Sequence, residues 1–186
     1  MAKIKGKLYH LHQGGAPDMG NLKCVTIYTD GGCTPNPGAG GYGVVLQFGL
    51  HRRELSAGYR LTTNNRMEML AAIAGLRALT QPCQVLLYSD SKYLVDAMHG
   101  GWPQRWAAKG WKRSEKHVAA NSDLWIELLR LCYEHDVEFT WIKGHARDSD
   151  NERCDRLATV AARGTDLLVD EGFGAAAPAP LFDRSY

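Results

Sequence analysis

Three strand-like segments in a row, then helix, strand, helix, strand and helix, restrict this chain to a mixed sheet with helices packed on its faces. Residues 24–29 form a β-branched run that stops at Asp30-Gly31-Gly32, and a Pro/Gly loop occupies 34–41. Residues 42–48 and 52–59 read as a hairpin around Gly49-Leu50-His51. The spacing predicts a helix over 65–79. The unbroken apolar run at 85–88 predicts a strand buried on both faces. Helices over 92–98 and 123–135, a strand over 137–142 and a last helix over 151–163 complete the body.

The body spans 23–165, with an N-terminal tail over 1–22 and a C-terminal tail over 166–186, Ala/Pro/Gly-rich from Gly172 and read as flexible. A chain of 186 residues buries a core without disulfides or structural metals. Its five cysteines form no CxxC pair, which argues against a zinc site, and their odd number argues against a disulfide framework. With no signal-like or membrane-length apolar run, the chain reads as a cytoplasmic monomer. The formal net charge is only +2, so any nucleic-acid site must arise from local clustering.

Four carboxylates are candidates for chemistry. Asp30 ends the first strand and Asp90 ends the buried fourth, and in open α/β sheets sites form beyond the carboxyl ends of neighbouring strands. Taken singly, each is explained better by a turn or a helix cap. Glu68 is the only charged residue in 67–76, a stretch apolar almost all round and therefore expected to be buried. Asn65 and Glu68 also match a capping box, and both readings stand together. Asp155 lies among the apolar positions of the last helix and by itself reads as ordinary surface. As a set, the four change meaning. Two like charges about 4 Å apart repel by roughly 4 kcal/mol at an effective dielectric near 20. A cluster of four needs hard cations, which favour oxygen ligands, or else takes up protons.

Residues 102–117 carry five Lys/Arg against one acid, a local charge of +4, and three of the five tryptophans. Lys and Arg neutralise phosphates and indoles stack on bases or sugars. The competing reading has the indoles anchoring a protruding helix with a solvated basic rim. A mixture is expected.

These residues together resemble bacterial type 1 ribonuclease H (ribonuclease HI). The likeness runs from about Val25 to Ala162 through Tyr-Thr-Asp-Gly-Gly-Cys (28–33), Asn-Pro-Gly-Ala-Gly-Gly-Tyr-Gly (36–43), Thr-Thr-Asn-Asn-Arg-Met-Glu (62–68), Ser-Asp-Ser-Lys-Tyr (89–93), Lys-Gly-His (143–145) and Asn-Glu-Arg-Cys-Asp (151–155). The resemblance implies a ribonuclease H-like α/β fold. Its five-stranded mixed sheet has three antiparallel strands then two parallel, with the first and fourth strands adjacent. It implies an endonuclease that hydrolyses the RNA strand of RNA–DNA hybrids, leaving 5′-phosphate and 3′-hydroxyl ends. Asp30, Glu68, Asp90 and Asp155 would hold two magnesium ions, with manganese as a substitute and Asp30 bridging. His145 matches a loop histidine assisting water activation or product release. Asn36, Asn64 and Asn65 match nucleic-acid contacts, and Thr63 a DNA-phosphate position. Trp102, Trp106, Lys109, Trp111 and Lys112 correspond to the basic protrusion.

The chain departs from the family at Gly32, where relatives carry Ser or Ala, and at 146–150. There Asp148 and Asp150 are expected to favour charged His145. The N-terminal tail is too short for the separate hybrid-binding module of some relatives. Three other readings remain at this level: a nuclease on duplex DNA or junctions, a silent hybrid-binding module, and a ligand-free α/β domain.

Overall fold

The computed structural model describes residues 22–114, 117–144 and 148–175. Strand β1 (Lys23–Cys33) buries Val25, Ile27 and Thr29, the alternation that a pleated strand imposes. It pairs antiparallel with β2 (Gly38–Phe48), and β2 pairs antiparallel with β3 (His51–Thr62). Strand β4 (Cys83–Ser89) lies parallel to β1 on its other side. Strands β5 (Lys112–Ser114) and β6 (His117–Val118) form a separate ribbon, and β7 (Asp136–Trp141) runs parallel to β4. The main sheet therefore has the order β3-β2-β1-β4-β7, as the resemblance implies.

The helices are α1 (Asn64–Arg77), α2 (Lys92–Gly100), α3 (Trp102–Ala108), α4 (Ser122–Glu134), α5 (Ser149–Ala162) and the short α6 (Glu171–Ala175). The near-continuous apolar run of α1 buries Met67, Met69, Ala71, Ala72, Ile73 and Leu76. It packs over β1 and β2, and with Trp125, Leu128 and Leu131 of α4 it builds the core. No helix among the described residues is long and apolar enough to cross a membrane.

Helix α5 covers the opposite face of the sheet. Neighbouring strand residues point to opposite faces. A β-carbon at Gly43 would sit 2.1 Å from the Cys154 carbonyl oxygen of α5, whereas Val44 packs beside Gly75 of α1. Backbone thus rests on backbone at Gly43, which seats α5 directly on the strand that pairs with Asp30.

Three expectations need correction. The capping box at Asn65 does not form: Thr63 is the N-cap residue, without a side-chain capping bond, so Glu68 is not spent on the helix terminus. The protrusion is only half helical, because left-handed backbone at Gly110 (φ 62°) and Trp111 (φ 63°) ends α3 and starts the β5–β6 ribbon. The chain beyond 165 does not leave the body as a free tail. Leu168 bonds to Gly58 and Arg60 of β3 through its backbone, and Asp170 is buried. Residues 1–21 and 176–186 of the expected tails lie outside the described residues.

What holds the segment after 165 is charge. Asp170 accepts hydrogen bonds from Arg66 Nε and Nη2, each at 2.7 Å, and from the Thr62 hydroxyl at 2.7 Å. Arg66 also pairs with Asp123, and its side chain is 2% exposed. Removing the Asp170 charge leaves the buried Arg66 guanidinium with only the more exposed Asp123 as counter-charge. Asp170→Asn should therefore lower stability by about 3 kcal/mol, read as the urea midpoint multiplied by the slope. A loss under about 0.5 kcal/mol would mean the pair contributes no more than a surface one.

Candidate active site

The register of the sheet brings the acids together. Thr29 of β1 pairs with Ser89 of β4, so Asp30 and Asp90 follow side by side where the parallel pairing of the two strands ends. Asp90 does not cap α2; Ser91 does, its hydroxyl accepting from Leu94 N at 3.3 Å. Asp30 lies opposite Gly43, so its side chain stands on the face that α5 covers. The next residue, Gly31, meets α1: a β-carbon there would lie 2.4 Å from the Met67 carbonyl carbon and 2.6 Å from Glu68 N. This close approach brings the second turn of α1, with Glu68, to the end of β1.

One carboxylate oxygen each from Asp30, Glu68 and Asp90 lie within 4.8 Å of one another. Asp155, in the second turn of α5, stands outside that trio but lines the same cleft, about 480 Å³ in volume. Burial, then the charges of Asp90 and Asp155, push the Asp30 carboxyl up to about 7, against an opposing bond from Gly31 N–H. Burial, then Asp30 and Asp90, hold Glu68 well above the usual carboxylate range. Glu68 Oε2 and Asp90 Oδ1 are buried without a hydrogen-bond partner among the described residues. Buried oxygens without donors, gathered among like charges, form the donor set that suits a hard divalent cation.

This geometry predicts an unusual dependence of stability on pH in metal-free protein. Asp30 binds its proton more tightly folded than unfolded. Its stabilising contribution is complete below its ordinary value of 3.8 and is lost as pH rises through about 7. Buried His135 works in the opposite sense, because its lowered pKa makes it cost stability once pH falls below 6.5. In EDTA the melting temperature should thus rise as pH is lowered from 8.5 to 6.5. Millimolar magnesium should raise it more at pH 8.5 than at 6.5. A metal-free melting temperature that is flat, or climbs with pH, would contradict a preformed cluster.

The other sequence candidates separate into three groups. Asn64 lines the cleft, and its Oδ1 accepts from Cys33 N at 2.8 Å. Asn36 Oδ1 accepts from Asn64 N at 3.3 Å. The two carboxamide oxygens thus brace the loop against the start of α1. Asn65 is exposed, and the Thr63 hydroxyl is free of a capping bond. The protrusion is apart from the cleft. Trp106 packs edge-on to Trp125 with centroids 6.3 Å apart, and Trp111 also packs against the core. Trp102 is 40% exposed, and Lys109 and Lys112 face solvent. His145 lies outside the described residues, but its neighbour Gly144 rests on the site: a β-carbon there would be 2.5 Å from Asp90 Oδ2.

Asp148 and Asp150, expected to act on His145, have local partners. The Asp148 carboxylate caps α5, accepting from Asp150 N at 3.0 Å and Asn151 N at 3.2 Å. Asp150 pairs with Arg52 and accepts from Gln47 Nε2 at 2.6 Å. Local compensation weakens any field they exert on the loop. Among the cleft residues that sequence reasoning missed, four carry side chains able to hydrogen-bond, Cys33, Thr34, Thr159 and Arg163. The last two were detectable, since they follow Asp155 at i+4 and i+8 on a helix.

Comparison with known proteins gives a consistent answer. The family model described as RNase H matches residues 22–163. The chain is 61% identical over 151 residues to a ribonuclease H of Syntrophus aciditrophicus, covering 81% of this chain and 87% of that protein. It is 58% identical to ribonuclease HI of a Synechocystis species, covering 81% and 94%. Among solved structures it resembles LC9-RNase H1, described as a type 1 RNase H with the type 2 active-site motif (TM-score 0.70, 30% identity, 86% and 83% covered). It also resembles LC11-RNase H1, solved in complex with an RNA/DNA hybrid (TM-score 0.57, 27% identity, 74% and 96% covered).

Proposed function

We propose, for a chain that belongs to the ribonuclease H family and hydrolyses the RNA strand of RNA–DNA hybrids, that the reaction runs on two magnesium ions held by Asp30, Glu68, Asp90 and Asp155, with manganese able to substitute. The observation that carries this reading is the trio of carboxylates within 4.8 Å, two of whose buried oxygens have no donor among the described residues. When bound, such a pair of ions activates the attacking water and stabilises the leaving oxygen. The protein's part is to hold the acids in register before substrate arrives. Asp30 would be the ligand shared between the ions, since β1 contacts both α1, which carries Glu68, and α5, which carries Asp155. The products are a 5′-phosphate and a 3′-hydroxyl end.

Selectivity for the hybrid requires reading the 2′-hydroxyl. Asn36, Asn64 and Asn65 are the residues proposed to do this; the side-chain oxygens of Asn36 and Asn64 accept from backbone N–H groups, which supports their amide N–H groups as the donors to substrate. Thr63 offers its hydroxyl to a DNA phosphate. Trp102, Lys109 and Lys112 supply the exposed contacts of the protrusion, with Trp106 and Trp111 shaping it from beneath. His145 assists proton transfer or product release. The enzyme acts as a cytoplasmic monomer.

The test is cleavage of matched RNA–DNA, DNA–DNA and RNA–RNA duplexes in magnesium, manganese and EDTA. Only the hybrid should be cut, and only with metal. Equal cleavage of the DNA duplex would favour a DNA or junction nuclease. Binding without cleavage in either metal would leave a hybrid-binding module.

A further inference from the structure

The wall of the cleft continues past the acids along α5. Asp155, Ala158, Thr159, Ala162 and Arg163 all line it, at the i, i+3, i+4, i+7 and i+8 spacing of one helical face. From Asp155 to Arg163 the helix rises about 12 Å, a distance that a nucleic-acid strand covers in roughly two to four nucleotides. The stripe starts with a metal-ligating carboxylate, passes a hydroxyl and ends with a guanidinium. Arg163 is exposed, and no carboxylate pairs with it among the described residues. The arginines at 52, 66, 77, 130, 153 and 156 are matched to acids; Arg53, Arg60 and Arg105, like Arg163, have no acid partner among the described residues, but of these four only Arg163 lines the cleft.

We infer that Arg163 binds a backbone phosphate of the RNA strand, roughly two to four nucleotides from the scissile link. This rests on the reading of the cleft as the site of RNA cleavage. The strand whose scissile phosphate reaches Asp30 and Asp155 follows the same wall, and Arg163 is the cation on that wall. Four carboxylates repel a polyanion, so an unpaired guanidinium at the end of the groove has a definite task. It offsets that repulsion and sets the register of the strand through a forked pair of donors. Thr159 stands between, with a hydroxyl for the same strand.

The experiment compares Arg163→Gln and Arg163→Lys with the parent on a short hybrid, by steady-state kinetics across a salt series. Arg163→Gln should raise KM about tenfold at low salt with kcat within about twofold, and reduce the slope of log KM against log salt by about one. Arg163→Lys should restore most of the KM. Hybrids carrying one neutral methylphosphonate link are then scanned along each strand. At one RNA link the parent should lose about tenfold in KM while Arg163→Gln loses nothing further, the signature of a shared contact. If Arg163 serves only to complement the negative C-terminal end of α5, the melting temperature falls and KM stays at the parental value. That result overturns the inference, as does coupling found only to a DNA link or to none. Failure of the parent chain to cut the hybrid would instead strike the reading of the cleft.

Discussion

Asp30→Asn should slow cleavage of an RNA–DNA hybrid by about a thousandfold or more, measured in single-turnover reactions with magnesium, while leaving the protein folded. The substitution is close in shape and keeps a carboxamide oxygen to accept from Gly31 N–H. What it removes is the charge at the centre of the cluster, beside Glu68, Asp90 and Asp155. The same change should stabilise the metal-free protein at pH 8, where the parent must hold the Asp30 carboxylate ionised against burial and two like charges. A higher melting temperature in EDTA together with lost activity separates this from simple misfolding. Cleavage at near-parental rate would remove Asp30 from the metal site and with it the assignment of the cleft.

The second large effect comes from a methyl group. Gly31→Ala would place a β-carbon 2.4 Å from the Met67 carbonyl carbon and 2.6 Å from Glu68 N. These are backbone atoms in a helix anchored by the buried Arg66–Asp170 pair, so they have little freedom to yield. Overpacking of this kind costs about 1–3 kcal/mol. The larger consequence is functional, because β1 and α1 must separate at the point where Asp30 and Glu68 meet. A misplacement of about 1 Å in a catalytic constellation can cost about a hundredfold in rate. Gly31→Ala should show losses of this order in both stability and turnover. Gly32→Ala is the matched control, since its β-carbon would meet only Asn64 Oδ1 at 3.9 Å. It should behave as the parent. Equal effects from the two substitutions would show that strand backbone alone, not the contact with α1, governs the site.

Much of this architecture was legible in the order of residues. Alternation around Val25 and Ile27 and the apolar run of α1 are properties of neighbours in the chain, and the predicted strands and helices lie within a few residues of those observed. The isolation of Glu68 in an apolar helix already marked it as buried. The misreadings came where a local motif competes with a distant partner. Asn65 and Glu68 had capping-box spacing, yet Glu68 points its buried oxygen into the acid cluster instead. Asp148 and Asp150 were read by their distance along the chain from His145. Their charges are matched by the terminus of α5 and by Arg52, a residue 98 positions from Asp150. Trp106 and Trp111 looked alike with Trp102 in a basic segment, but left-handed backbone at 110 and 111 turns the chain so that Trp111 packs inward.

From the sequence alone came the class of fold, the identities of the four acids and the family, because periodicity and motif spacing are written along the chain. Tertiary structure alone decided that the acids converge, that Arg66 and Asp170 tie the segment after 165 to the helix bearing Glu68, and that Arg163 stands unpaired on the wall that Asp155 begins. The reason is physical: burial and charge compensation depend on which groups meet across the fold, and the pairs that matter most here are separated by up to about a hundred residues.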